Sequence, residues 1–169
     1  ETMWAMIETN VRIPVQVTGD IRAQLSACNI AEREFLELVE RFGLEATRHY
    51  MMAVIEYAER LTRAGLRELP DGEYSFEDWI DDDGIDRDQP IRLFCTIRKQ
   101  GDGIQVDWDG SAPQVKGAIN CTLSFTKAVS YAAVRSVLPF DIPCNEGLFR
   151  AIEVTAPLGT VTNMVLPAA

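Results

Sequence analysis

A chain of 169 residues with 47% hydrophobic and 25% charged side chains is long enough to bury a core and has an ordinary globular composition. Its net charge of −10 argues against nucleic acid or an anionic membrane surface as a partner. No apolar run reaches the length of a membrane span, and the stretch nearest to one, AVSYAAVRSV, is interrupted by Arg135.

Helical spacing comes first. Trp4, Ile7 and Val11 repeat at steps of three and four before Pro14 interrupts. From Asp20 the apolar stripe Ile21, Leu25, Cys28, Phe35, Val39 and Phe42 predicts a long helix that stops at Gly43. Residues 45–67 repeat the pattern with Tyr50, Val54, Ala58 and Leu61, so a short link at Gly43 predicts an αα-hairpin of antiparallel neighbours.

The sequence LPDG at 69–72 has turn chemistry, and beyond it the period changes to two. Tyr74, Phe76 and Ile80 alternate with polar residues. Ile91, Leu93, Cys95 and Ile97 do so next, followed by a KQGDG turn and then Ile104, Val106 and Trp108. This pattern predicts an antiparallel meander with one buried face. Residues 121–138 read as a helix buried on more than one side, since only Lys127 and Arg135 are charged there. After an irregular link at Pro139, Pro143 and Gly147, FRAIEVTA predicts a last strand with Ile152 and Val154 inward. The expected fold class is α+β: an N-terminal helical hairpin (1–68) followed by a small antiparallel sheet with an inserted buried helix (69–169).

The acidity is local. Residues 71–88 hold nine acids and one base, a net of −8, and the densest part is WIDDDGIDRDQP at 79–90. A calcium loop of the EF-hand type needs acids at positions 1, 3 and 5, Gly at 6 and Glu at 12. Placing Gly84 at the glycine position puts Trp79 first and Pro90 last, so the match fails. A looser cation site stays open, and a solvated connection between strands is the favoured reading.

Of the other reactive side chains, His49 stands alone, which excludes a multi-histidine metal site. It reads as a packed or surface helix residue. Cys28, Cys95, Cys121 and Cys144 form no CxxC pair or zinc spacing, and no signal peptide opens the chain, so a reduced, cytoplasmic protein is expected. Cys28 and Cys95 read as small hydrophobes and Cys144 as the exposed thiol. GDG at 101–103 fits a hairpin turn, with no helix behind it for a phosphate loop. Two polar clusters remain. GDIRAQ (19–24) puts Asp20 and Arg22 in a first helical turn, where the dipole suits Asp20. PCNEGLFR (143–150) sets Asn145, Glu146 and Arg150 around Gly147 on an irregular loop, for which function and a plain turn are about equally plausible.

Three stretches together carry a resemblance. GDIRAQLSACNIAEREFLELVERFG, VDWDGSAPQVKGAIN and IPCNEGLFRAIEVTAPLGTVTN resemble, in order, segments of the hydantoinase B/oxoprolinase family. The family pattern is Gly-Asp-Leu-Arg-Ala-Gln in the first. In the second it is Gly-Ser/Thr-x-Pro-Gln, matched here by Gly110 to Gln114, with Phe where Trp108 stands. In the third it is Pro-Leu-Asn-Glu-Gly, from which Cys144 departs.

The resemblance implies a piece of a longer subunit. The chain's opening at Glu1 inside a helix-like run, and its stop just after a strand-like stretch, point the same way. It implies a hydantoinase A-type subunit and the rest of its own subunit as partners. The implied activity is ATP-dependent opening of cyclic amides of the hydantoin or 5-oxoproline type; the alternatives are carboxylation of ketones and a non-catalytic assembly role. ATP and a divalent metal are implied for the parent enzyme and no cofactor for these residues, since the family's His/Asp motifs lie upstream of the matched region. Asp20, Arg22, Asn120, Asn145 and Glu146 are the candidate active-site groups of the assembled enzyme, orienting and hydrogen-bonding rather than attacking.

Overall fold

A computed structural model describes residues 2–139 and 141–168. The chain divides into two compact units, 1–52 and 53–169, with the division inside a helix.

The first unit holds α1 (Thr2–Asn10), α2 (Pro14–Phe42) and the start of α3 (Leu44–Glu68). Pro14 does not interrupt a helix but starts one. Its fixed φ and missing N–H suit the first turn of α2, so that helix begins six residues before Asp20. Gly43 ends α2 in the left-handed region (φ 81°), its N–H donating to the Val39 carbonyl at 2.8 Å.

The hairpin expectation needs correcting here. Only Gly43 separates the two helices, whereas an αα-hairpin needs a link of about 2–5 residues. The apolar stripe of α2 stays exposed at Leu25, Phe35, Leu38 and Phe42, as do Tyr50, Met51 and Met52 of α3. On α1, the Trp4 ring lies under the Arg22 guanidinium, 5.1 Å from ring centroid to carbon.

The second unit holds the rest of α3, then β1 (Gly72–Ile80), β2 (Ile91–Gln100), β3 (Gly103–Asp107), α4 (Leu123–Val137), α5 (Glu146–Phe149) and β4 (Ile152–Thr155). The strands line up in the order β1-β2-β3-β4. The first three form the expected antiparallel meander, but β4 runs parallel to β3, so the sheet is mixed. The connection between them is long enough to cross over, carrying α4 and α5. The fold class is α+β.

One sheet face presents Ile97, Ile104, Val106, Ile152 and Val154 to a core completed by Ala58 and Leu66 of α3, Val134 and Leu138 of α4 and its end, and Ile142 and Leu148. The other face carries a charge ladder. Arg98 donates to Glu73 (2.7 Å) and Asp107 (3.1 Å), and the Arg92 Nε donates to Glu77 (2.7 Å). The expectation that α4 is buried on several sides is corrected: it buries only Thr126, Ser130 and Val134, one residue per turn. Phe125, Val129 and Val137 on its other side are exposed. No helix among the described residues is long and apolar enough to cross a membrane.

Candidate functional site

The motifs that stand out in the sequence turn out to be places where side chains substitute for backbone pairing. In GSAPQ, the Ser111 hydroxyl accepts the Phe94 N–H (3.1 Å) and donates to the Phe94 carbonyl (3.0 Å), as a neighbouring strand would. The Gln114 amide does the same to Val165, donating to its carbonyl at 3.2 Å and accepting its N–H at 2.8 Å. Asn120 closes the loop before α4 by accepting from the Val115 N–H (2.9 Å) and donating to the Val115 (2.8 Å) and Gly117 (3.1 Å) carbonyls. Near the C-terminus, Asn163 donates to the Ala156 carbonyl at 2.8 Å. Together these bonds satisfy backbone groups of a region with little regular structure.

The PCNEGLFR motif docks α5 against α3. Asn145 caps α5 by accepting the Gly147 N–H at 2.8 Å. Gly147 is required by close approach, since a Cβ there would stand 1.9 Å from the Ile55 carbonyl oxygen. Arg150 reaches Glu59 at 3.2 Å, and Glu59 also pairs with Arg63, which continues to Asp102. The hydrogen bonds from Arg63 and Arg150 hold the Glu59 carboxyl below its ordinary range. Sequence reasoning missed α5 as a helix; the Asn-Glu-Gly run after Pro143 is the capping signal that marks it.

The acidic connection is less solvated than expected. Asp81, Asp88 and Arg87 are exposed, but Asp83 is 8% exposed and accepts three backbone N–H groups: Ile85 (2.8 Å), Asp86 (2.6 Å) and Gly117 (2.9 Å). These bonds, led by that from Asp86, hold its carboxyl below the ordinary aspartate range. Lys116 pairs with Asp86 at 2.8 Å, so the run is pinned to the 115–120 loop at two points.

A groove of about 840 Å³ lies along α4, lined among others by Lys127, Tyr131, Arg135, Cys144 and Phe149. Tyr131 stacks on Phe149 with centroids 4.4 Å apart, and burial, with Glu146 adding, pushes its phenol up.

The five candidate residues therefore differ in kind. Asp20 and Arg22 lie in the first unit, and Asn120, Asn145 and Glu146 in the second. Asp20 is in the interior of α2, not its first turn, so the dipole argument does not apply to it. Arg22 packs on Trp4. Asn120 and Asn145 are held by backbone groups, whereas Asp20 and Glu146 are exposed carboxylates with no hydrogen bond or ion pair among the described residues. His49 is exposed and meets Tyr50 edge-on at 5.3 Å. Cys28, expected on a packed face, is exposed, as is Cys144. No group of three or more His, Cys, Asp or Glu among the described residues converges closely enough to hold a metal ion, so a divalent cation does not fit them.

An α+β segment organised by side-chain clips, with an apolar groove along α4, is the class that fold and site define. The chain belongs to the Hydantoinase B/oxoprolinase family, whose model matches residues 1–169. It is 33% identical over 177 residues to the B-type subunit of a putative D-/L-hydantoinase of Pseudomonas sp. (strain NS671), covering 98% of this chain and 30% of that protein. The crystal structure of the ATP-dependent caprolactamase of Pseudomonas jessenii matches with a TM-score of 0.76 and 30% identity, over 99% of this chain and 29% of that one. A nucleotide-free acetone carboxylase matches in fold, with a TM-score of 0.72 at 20% identity over 85% of this chain. The chain thus spans about 30% of the length of the hydantoinase relative it matches.

Proposed function

We propose that these residues form one segment of a hydantoinase B-type subunit, in an ATP-dependent enzyme that opens cyclic amides of the hydantoin or 5-oxoproline class. The observation that carries this reading is the match to the hydantoinase and caprolactamase relatives across nearly all of this chain at about one-third identity. Hydantoins and caprolactam are both cyclic amides, and an amide carbonyl is a poor electrophile. Transfer of the terminal phosphate of ATP to its oxygen, with release of ADP, would make the carbon electrophilic. Water then adds there, the ring C–N bond breaks with the nitrogen leaving as an amine, and a second water hydrolyses the resulting acyl phosphate to carboxylate and phosphate. The segment's part in that chemistry is to shape and orient.

In the assembled enzyme, Asn120, Asn145 and Arg22 hold the segment in shape, and Asp20 and Glu146 supply carboxylates to polar contacts outside this segment. A hydantoinase A-type subunit is the partner. The exposed apolar residues of α2 and α4 favour burial against other polypeptide, which also suits the second reading, an assembly role without chemistry.

The complete protein, combined with its A-type partner, is assayed for ATP consumption with hydantoin, 5-oxoproline, or acetone plus bicarbonate. ATP use coupled to ring opening supports the proposal. ATP use with the ketone alone transfers it to the carboxylases, and no ATP use with any substrate leaves the assembly role.

A further inference from the structure

β1 is an open edge of the sheet. It pairs with β2 on one side only, in an unbroken register from Gly72 opposite Lys99 to Ile80 opposite Ile91. Eight of its nine residues are exposed. Alternate residues of an antiparallel edge turn their N–H and C=O groups outward, which makes a template for another strand. Protein edges are ordinarily blunted by charged side chains, above all Lys, by Pro or by a bulge. GEYSFEDWI has no Lys, Pro or bulge, and of its three acids Glu73 and Glu77 are neutralised by Arg98 and Arg92. Among the described residues, the Trp79 N–H alone is diverted, to the Asp78 carboxylate at 2.9 Å.

The edge is apolar on the core side. Tyr74 and Phe76 stand opposite Ile97 and Cys95, both packed against the core, yet they are 50% and 71% exposed. The apolar face therefore runs past the core to the margin of the sheet.

The edge is acidic at one end. Beyond Ile80 lies an open groove of about 870 Å³, lined by Trp79, Asp81, Asp82, Asp88 and Pro90. Glu73 and Glu77 are matched by Arg98 and Arg92, and Asp86 by Lys116. Asp78, Asp81, Asp82 and Asp88 form no ion pair among the described residues, and Arg87 forms none either. A second copy of this chain would set the −8 stretch of 71–88 against itself, so self-pairing is disfavoured.

We propose that the β1 edge receives an extended segment with apolar residues at alternate positions and a Lys or Arg at the end that reaches Asp81, Asp82 and Asp88. Its source is the polypeptide that the relatives carry outside the matched 30%. That source rests on the family role proposed above; the chemistry of the edge does not.

A nine-residue peptide alternating Val and Thr with Lys at both ends matches the nine residues of β1. Its twin has Glu at both ends. Each is titrated into the isotope-labelled chain at physiological salt while amide exchange is followed by NMR. The Lys peptide should slow exchange of alternate β1 amides by about tenfold and shift the Trp79 indole signal. The Glu twin should bind at least about fivefold more weakly.

Phe76→Glu should abolish the protection with the rest of the spectrum unchanged, because this side chain is 71% exposed. No protection by either peptide at about 1 mM overturns strand addition, and equal binding of the twins overturns the charge argument. Protection that grows with protein concentration and no peptide places a second copy on the edge and overturns the occupant. Loss of peptide binding alongside intact ATP-dependent turnover of the complete enzyme would sink this inference and leave the family role standing.

Discussion

The Asp83 carboxylate accepts the Gly117 N–H at 2.9 Å, and a methyl group added to Gly117 would stand 1.9 Å from the Asp83 carbonyl oxygen. Two segments 34 residues apart are thus fitted together by one hydrogen bond and one missing side chain. Gly117→Ala should destabilise the fold by about 1–3 kcal/mol through overpacking. Urea unfolding at neutral pH checks this, and an unchanged midpoint would mean that the two loops separate freely.

The same contact has a pH signature. Backbone hydrogen bonds keep the folded-state pKa of Asp83 below its unfolded value, so the folded chain favours the ionised form. The resulting stability is fully present above the ordinary aspartate range and is lost as pH falls through the folded value. Asp83→Asn should lower stability at neutral pH and flatten the decline on acidification. Parallel acid limbs for the two proteins in thermal melts from pH 7 to pH 3 would contradict the role given to this carboxylate.

Gly147 and Arg150 both tie α5 to α3, by different physics. Gly147→Ala forces a Cβ against the Ile55 carbonyl and should cost about 1–3 kcal/mol. Arg150→Ala removes a half-exposed ion pair with Glu59 and should cost much less, with salt reducing the difference further. Equal losses for the two variants would show that the ion pair, not the close approach, holds the short helix.

The four thiols should react in two classes. Cys28 and Cys144 are exposed, whereas Cys95 and Cys121 are partly buried and their thiol pKa values are raised by that burial. Iodoacetamide at pH 8 should label the first pair at least about tenfold faster, as read by peptide mass spectrometry. A single common rate would contradict the packing of β2 and of the loop before α4.

Much of this architecture is legible in the residues themselves. The switch from a 3.6 to a 2 period at Pro70-Asp71-Gly72 marks where α3 gives way to β1, and Gly101 and Gly103 bracket the hairpin between β2 and β3. Strand direction is not legible: Ile152 and Val154 alternate alike whether β4 runs with β3 or against it, and only the crossover decides. Pro14 reads equally as a breaker or a first-turn residue, and that ambiguity misplaced the start of α2. The burial of Asp83 depends on a glycine 34 positions away, so a run of aspartates looks uniformly solvated when read locally. Asn120 looks reactive for a similar reason, since its partners at Val115 and Gly117 appear only once the loop closes.

Asn145 and Glu146 are chain neighbours with opposite assignments, so the central claim is tested most directly by measuring kcat and melting temperature for Asn145→Ala and Glu146→Ala in the complete enzyme. Asn145→Ala should lose the cap of α5, about 0.5–2 kcal/mol, with kcat per folded molecule nearly unchanged. Glu146→Ala should melt as the parent does and lose kcat, because its carboxylate is exposed and unpaired among the described residues. A large fall in kcat for Asn145→Ala at an unchanged melting temperature, or full activity for Glu146→Ala, would contradict the account.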